Sequence, residues 1–186
     1  MRIPLNAKRV FKGIIFDVYQ WQQEMFDGRH RTFELIKRSD SVQVIAVQGD
    51  KIILCDDEQP GRPRKTTFLG GRVNEHEVAV EGGKRELLEE AGMESDDWEL
   101  FATYNPFTKI EWSVHYFIAR GCREVASLAL DPGGERITLK PVTFEEFMKI
   151  VASEEFDAGK FTADMLRLQQ DKKALAVFRK RLFGNS

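Results

Sequence analysis

The richest chemistry in this chain lies between Gly71 and Met93, in the run GRVNEHEVAVEGGKRELLEEAGM. If its second half is helical, at about 100° per residue, Glu90 lies about 40° from Glu86 and Glu89 about 60° to the other side. Three carboxylates then share one sector, with Arg85 beside Glu89 at i,i+4. Val80, Leu87, Leu88 and Ala91 form a separate apolar flank. Carboxylates brought together repel, by about 4 kcal/mol for two charges about 4 Å apart at an effective dielectric of about 20. A cation relieves that repulsion. Oxygen donors without His or Cys favour Mg2+ or Mn2+ over Zn2+, and Mg2+ is also the natural counterion of phosphates. The glycines ahead of the helix allow backbone to come close to a metal or a phosphate. Taken alone, RELLEE reads more readily as a solvated face laced with i,i+4 ion pairs.

The full spacing argues against the solvated face. Gly71, five residues, Glu77, seven residues, then Arg85-Glu86-Leu87-x-Glu89-Glu90-x-Gly92-Met93 matches every fixed position of the Nudix box, GX5EX7REUXEEXGU with U aliphatic. The chain therefore resembles the Nudix hydrolases. That resemblance implies an α/β fold, an α/β/α sandwich around a mixed sheet. It implies cleavage of a nucleoside diphosphate linked to another group. It also implies a divalent metal, Mg2+ with Mn2+ as a substitute, held by Glu86, Glu89, Glu90 and a backbone carbonyl near Gly70. By the same pattern Arg85 orients the glutamates and counts, with Glu89, among the catalytic residues. Glu77 braces the loop, and Gly71 and Gly92 are structural. The chain departs from the family at Gly82-Gly83, where the helix commonly carries two alanines. Two interior glycines cost about 2 kcal/mol relative to alanine, so either the helix is irregular there or another element packs very close.

The N-terminal part looks like that of the ADP-ribose and nucleotide-sugar pyrophosphatase subgroup. This implies a β arm over residues 1–38, exchanged between the subunits of a homodimer, and a hydrolase domain over residues 39–186. The subgroup's nucleotide-binding arginines map near Arg38 and the loop carrying Arg62 and Arg64, with Trp21 or Phe16 to stack on a base. A loop arginine reads as well as solvated, and a strand tryptophan as core. Where the subgroup often has Glu-Leu-Pro-Ala-Gly, this chain has Thr67-Phe68-Leu69-Gly70-Gly71, and Pro106 stands slightly nearer the box than the subgroup's proline. The subgroup's general base often comes from a loop after the sheet, which makes Glu135 the first candidate, then Asp131, with Glu111 third. Two other readings stay open: a house-cleaning nucleoside triphosphate or dinucleotide hydrolase, and a catalytically silent module that senses a nucleotide metabolite.

These residues need a scaffold, and the chain supplies an ordinary one. It has 186 residues, of which 42% are hydrophobic and 14 are Phe, enough for one full core. Lys and Arg total 28 against 30 Asp and Glu, a net charge of −2 that disfavours a nucleic-acid coat protein. No apolar run reaches bilayer length, and the N-terminus lacks the apolar stretch of a secretory signal. With only Cys55 and Cys122, reduced thiols in a cytoplasmic protein are the simple expectation. Val10–Trp21 and Thr32–Ile36, around an Asp27-Gly28 turn, predict an extended meander. Val42–Val47 and Lys51–Cys55 predict a buried hairpin. Strands are expected at 100–104, 112–120 and 136–141. Helices are expected at 75–91, closed by Gly92, from the Thr143/Glu146 capping box, and over 162–183. The C-terminal basic residues read as the wet side of that last helix.

Overall fold

The computed structural model describes residues 2–126, 136–156 and 158–184. The chain opens with β1 (Lys8–Lys12), β2 (Asp17–Glu24) and β3 (His30–Lys37), followed by β4 (Ser41–Gln48), β5 (Lys51–Glu58), β6 (Lys65–Thr67) and β7 (Leu69–Arg72). Helix α1 (Ala79–Ala91) precedes β8 (Met93–Glu94), β9 (Asp97–Tyr104), β10 (Ile110–Glu111), β11 (Val114–Arg120), β12 (Arg123–Glu124) and β13 (Arg136–Val142). Three helices close the chain, α2 (Phe144–Ile150), α3 (Lys160–Gln169) and α4 (Lys172–Phe183).

The main sheet runs β13-β5-β4-β11-β9, with β6 added to β5 and β7 to β4. It is mixed: β4 and β11 are parallel, while the other pairs are antiparallel. β4 is covered on both faces, so its apolar run is nearly continuous rather than alternating. On one face Val44, Ala46 and Leu69 pack against Leu87 and Ala91 of α1. On the other, Ile45, Ile52 and Tyr116 pack against Phe147 of α2, Phe161 of α3 and Phe178 of α4. Phe68 is the hub of this second layer. Its ring lies 5.0 to 6.0 Å from those of Phe161, Phe156, Tyr116 and Phe147, largely edge-on, the favoured arrangement of aromatic quadrupoles. The result is the expected α/β/α sandwich. The arm is a separate sheet, β1-β2-β3-β10, in which the later strand β10 joins β3 in parallel and ties the arm to the sandwich.

Three sequence expectations change. The apolar stretch 10–21 is two strands, because the chain reverses where Gly13 N–H donates to the Phe16 carbonyl at 2.9 Å. The helix expected from residue 75 starts at Ala79. His76 has φ 67°, and the Glu77 carboxylate turns back to accept from the Asn74 N–H at 2.8 Å, which keeps residues 74–78 non-helical. The single helix expected over 162–183 is two, since the Asp171 side chain accepts from the N–H groups of Lys173 and Ala174 and so starts α4. The capping box at Thr143 and Glu146 forms as expected, and Gly92 closes α1 at φ 62°.

Gly82 and Gly83 sit inside a regular helix, and close packing accounts for them. A Cβ on Gly83 would lie 3.1 Å from the Trp98 ring and 3.3 Å from a Val42 methyl. Both neighbours are held, Trp98 by its indole N–H donating to the Ser95 carbonyl and Val42 by the central strand. Gly83→Ala should therefore lower the melting temperature, although alanine adds about 1 kcal/mol of helix propensity. In a Trp98→Phe background the same substitution should raise it relative to that parent, as thermal denaturation followed by circular dichroism would register.

Candidate active site

Strand β7 pairs antiparallel with β4, placing Gly70 opposite Gln43 and Gly71 opposite Val42. Both positions exclude a side chain. Gly70 has φ 151°, and a Cβ there would be 2.2 Å from the Val42 carbonyl oxygen. A Cβ on Gly71 would fall 2.3 Å from the Glu86 Oε1. The side chain absent at Gly70 lets β7 lie close on β4, and the one absent at Gly71 lets α1 press Glu86 onto the strand. Gly70 N–H donates to Glu90 Oε2 at 2.7 Å. Glu86 and Glu90, one turn apart, are thus nearly buried (9% and 7% exposed), whereas Glu89 remains half-exposed.

Arg85 organises the rest. Its Nε donates to Glu77 Oε1 at 3.1 Å and its Nη2 to Glu77 Oε2 at 3.2 Å. Nη1 reaches Glu86 Oε1 at 2.8 Å and Glu89 Oε2 at 3.1 Å, and Nη2 also donates to the Arg72 carbonyl at 2.9 Å. One guanidinium therefore ties the loop before the helix to two of the helix carboxylates, a use of its planar fork that lysine could not copy. Hydrogen bonding to Glu77 is the leading cause that raises the Arg85 pKa above its usual value, and the same bond holds Glu77 below the ordinary carboxylate range. Among the described residues no three His, Cys, Asp or Glu side chains close around a common point, and Arg85 bonds both Glu86 and Glu89. The donor set still fits a hard divalent cation: buried carboxylates a turn apart, against a glycine strand with no Cβ in the way.

Side chains alternate along β4. Val42 and Val44 face α1, while Ser41 and Gln43 face a cleft of about 760 Å3 on the other side. Its walls include Gln43, Arg62, Tyr104, Phe107, Trp112 and Lys160. Trp112 stacks on Phe107 with ring centres 6.0 Å apart and planes at 16°, and its indole N–H donates to the Ser41 hydroxyl at 3.1 Å. The Lys160 ammonium lies 5.4 Å from the centre of the Tyr104 ring, whose hydroxyl donates to Asp164. Burial, then the Asp164 carboxylate, raises the Tyr104 pKa, so this hydroxyl stays protonated. Flat aromatic faces beside cationic side chains suit a base or sugar carrying phosphates. A second hollow, about 410 Å3, is lined by Arg38, Asp40, Asn74, Glu77 and Glu111 beside the loop that leads into α1.

The structure brings Gly70, Gly71, Glu77, Arg85, Glu86, Glu89 and Glu90 together. It scatters the rest. Arg62 lines the cleft, but Arg64 pairs with Asp56 at 2.6 Å. Arg38 stands over the Trp112 ring beside the second hollow. Trp21 is buried in the arm sheet against Phe33, with its N–H on Gln23, apart from the box residues. Glu111 accepts from the Ile3 N–H and pairs with Lys37. Glu135 and Asp131 lie outside the described residues. Sequence reasoning missed Gln43, Phe107, Trp112 and Lys160, which come from different elements with no fixed spacing between them.

Comparison with known proteins bears on this geometry. The NUDIX domain model matches residues 37–167. An ADP-ribose pyrophosphatase of Bacillus subtilis (strain 168) is 27% identical over 176 residues, 92% of this chain and 94% of that protein. Among solved structures, one described as an ADP compounds hydrolase superposes with a TM-score of 0.70 over 96% of this chain and 92% of its own, at 18% identity, a likeness of fold. The span matched by the family model covers well over half of the chain and contains the whole segment from Gly71 to Met93, so the chain belongs to the Nudix family and is a pyrophosphohydrolase.

Proposed function

We propose that this protein hydrolyses the diphosphate linkage of ADP-ribose or a closely related nucleoside diphosphate sugar. The observation that carries the reading is the pair of buried carboxylates, Glu86 and Glu90, pressed onto a glycine strand whose partner β4 also lines an aromatic, cation-bearing cleft. The choice of substrate leans on the Bacillus relative, which aligns over nearly the whole chain. Water would attack one phosphorus, and the bond to the bridging oxygen would break, giving a nucleoside monophosphate and a sugar phosphate.

Glu86, Glu89 and Glu90, with the Gly70 carbonyl, would hold a divalent ion, Mg2+ by the hardness of the donors. Such an ion neutralises charge developing on phosphate oxygens and lowers the pKa of a bound water. The chain's own residues do the positioning. Arg85 sets the Glu86 and Glu89 oxygens, Glu77 fixes Arg85, and the loop from Arg72 to Glu77 is held to the helix by the same contacts. Arg38, Arg62 and Lys160 would meet the substrate's negative charge, and Phe107, backed by Trp112, would stack on its flat part. Glu135 remains the proposed general base. Product analysis tests the reading: ADP-ribose with Mg2+ should give AMP and ribose phosphate. A nucleoside triphosphate cleaved faster, to a monophosphate and pyrophosphate, would replace it with the house-cleaning alternative.

The arm, residues 1–38, would serve as a dimer interface. Val10, Phe11, Ile14 and Ile15 are exposed at the β1–β2 end of it, a concentration of apolar side chains close in sequence rather than scattered singly. Ile14→Asp should convert a dimer to a monomer in sedimentation velocity. Among the described residues no helix is long and apolar enough to cross a membrane, and Cys55 and Cys122 are both buried and not joined by a disulfide. A cytoplasmic location is part of the same proposal, and two unlinked cysteines would suit its reducing conditions.

Glu90→Gln should lower kcat by at least about 100-fold without loss of fold, since the amide oxygen can still accept from Gly70 N–H; unchanged turnover would falsify the metal-ligand role. Glu77 yields a pH test. Its pKa is depressed in the folded state, so its stabilising contribution is present above the unfolded value of about 4.3 and disappears as pH falls through the lower folded value. Glu77→Gln should therefore melt below the wild type at pH 7, and the gap should close on acidification toward pH values under about 4.

A further inference from the structure

Arg38 has an arrangement that neither a surface arginine nor a structural ion pair explains. Its guanidinium carbon lies 4.5 Å from the centre of the Trp112 ring and 5.7 Å from that of Phe16. Its Nε is buried without a hydrogen-bond partner, and among the described residues no carboxylate forms an ion pair with it. Carboxylates do line the hollow it borders, but each is engaged elsewhere. Glu77 is held by Arg85, Glu111 by the Ile3 N–H and Lys37, and Asp40 by the Ser113 N–H and His115. Burial, and after it the like charge of Arg72, lowers the Arg38 pKa, so its neighbourhood disfavours the cation it must carry.

Aromatic rings hold a guanidinium by its faces, through the ring quadrupole. The N–H donors lie in the guanidinium plane and point outward from its edge, and the edge is what a phosphate oxygen binds. A cation gripped by its faces, with no carboxylate at its edge, and set beside the loop from Val73 to Glu77, is built to receive an anion that arrives from outside. We propose that Phe16 and Trp112 are positioning residues that hold Arg38 ready to bind a phosphate of the substrate at the hollow beside the box loop. This deepens the diphosphate-hydrolase reading and rests on it. Phe16 belongs to the arm, just ahead of β2, so the arm completes the substrate site within the same chain as well as offering an apolar surface.

The test is steady-state kinetics on ADP-ribose with Mg2+, together with calorimetric binding of inorganic pyrophosphate without metal. The variants are Arg38→Gln, Arg38→Lys, Phe16→Ala, Phe16→Tyr, Trp112→Phe and the double variant Arg38→Gln/Phe16→Ala. Arg38→Gln and Phe16→Ala should each raise KM and weaken pyrophosphate binding about tenfold, with kcat little changed. Arg38→Lys, which keeps the charge but loses the flat face and the fork, should weaken binding in the same direction and stands in if the glutamine variant fails to fold. Phe16→Tyr keeps a ring and should behave like the wild type, while Trp112→Phe, which keeps a ring but loses the indole N–H to Ser41, should raise KM less than Phe16→Ala does. The double variant should be no worse than Arg38→Gln, because Phe16 acts only through that side chain. An unchanged KM in Phe16→Ala, or losses that multiply in the double variant, would overturn the positioning role, and unchanged pyrophosphate affinity in both Arg38 variants would overturn the phosphate site. If the wild type fails to cleave ADP-ribose, the functional reading falls while pyrophosphate binding still decides the role of Arg38.

Discussion

The close approach of α1 to β7 is the contact on which the site depends. Glu86 fits there because Gly71 beneath it has no side chain, and Glu90 because it accepts the Gly70 N–H. Burying a carboxylate without such partners costs several kcal/mol, roughly the whole margin of a small domain. Arg85 completes the compensation from the other side, with five hydrogen bonds that reach the loop and the helix together. The helix cannot rotate or slide without breaking this set, so the orientation of the carboxylates is a property of the packed pair rather than of the helix.

The same logic extends to the glycines inside α1. Gly82 and Gly83 weaken the helix as an isolated element, yet they let Val42 and the Trp98 ring come within contact distance of its backbone. Local propensity is given up for proximity between helix and sheet, and that proximity brings the downstream glutamates onto β7. Conflict between a local preference and the fold is expected where a site is being built.

Around this rigid centre the sheet divides the chemistry in two. Alternation along β4 sends valines to the helix that carries the carboxylates, and Ser41 and Gln43 to the cleft behind. Three aromatic rings and one planar cation follow in sequence, Phe16, the guanidinium of Arg38, Trp112 and Phe107, and the cation is the member able to bind a charged ligand.

Much of this was legible in the order of residues. The spacing from Gly71 to Met93 identified the family, the carboxylate ridge and the glycine that ends the helix, because a short segment with local geometry carries its own ruler. The Thr143 cap and the Asp27-Gly28 turn were legible for the same reason. The start of α1 was not, since no residue type between 75 and 78 breaks a helix, while the decisive hydrogen bonds run to the Glu77 carboxylate from the Asn74 N–H and from Arg85. Nor was the division of the last helix, where the Asp171 cap competes with an unbroken amphipathic pattern. Trp21 looked like a base-stacking residue and is arm core. Trp112, with no motif to mark it, became a wall of the cleft and the seat of Arg38. Contacts between residues far apart in sequence depend on which strands become neighbours, and that pairing is decided by the burial of whole faces at once, which no local spacing encodes.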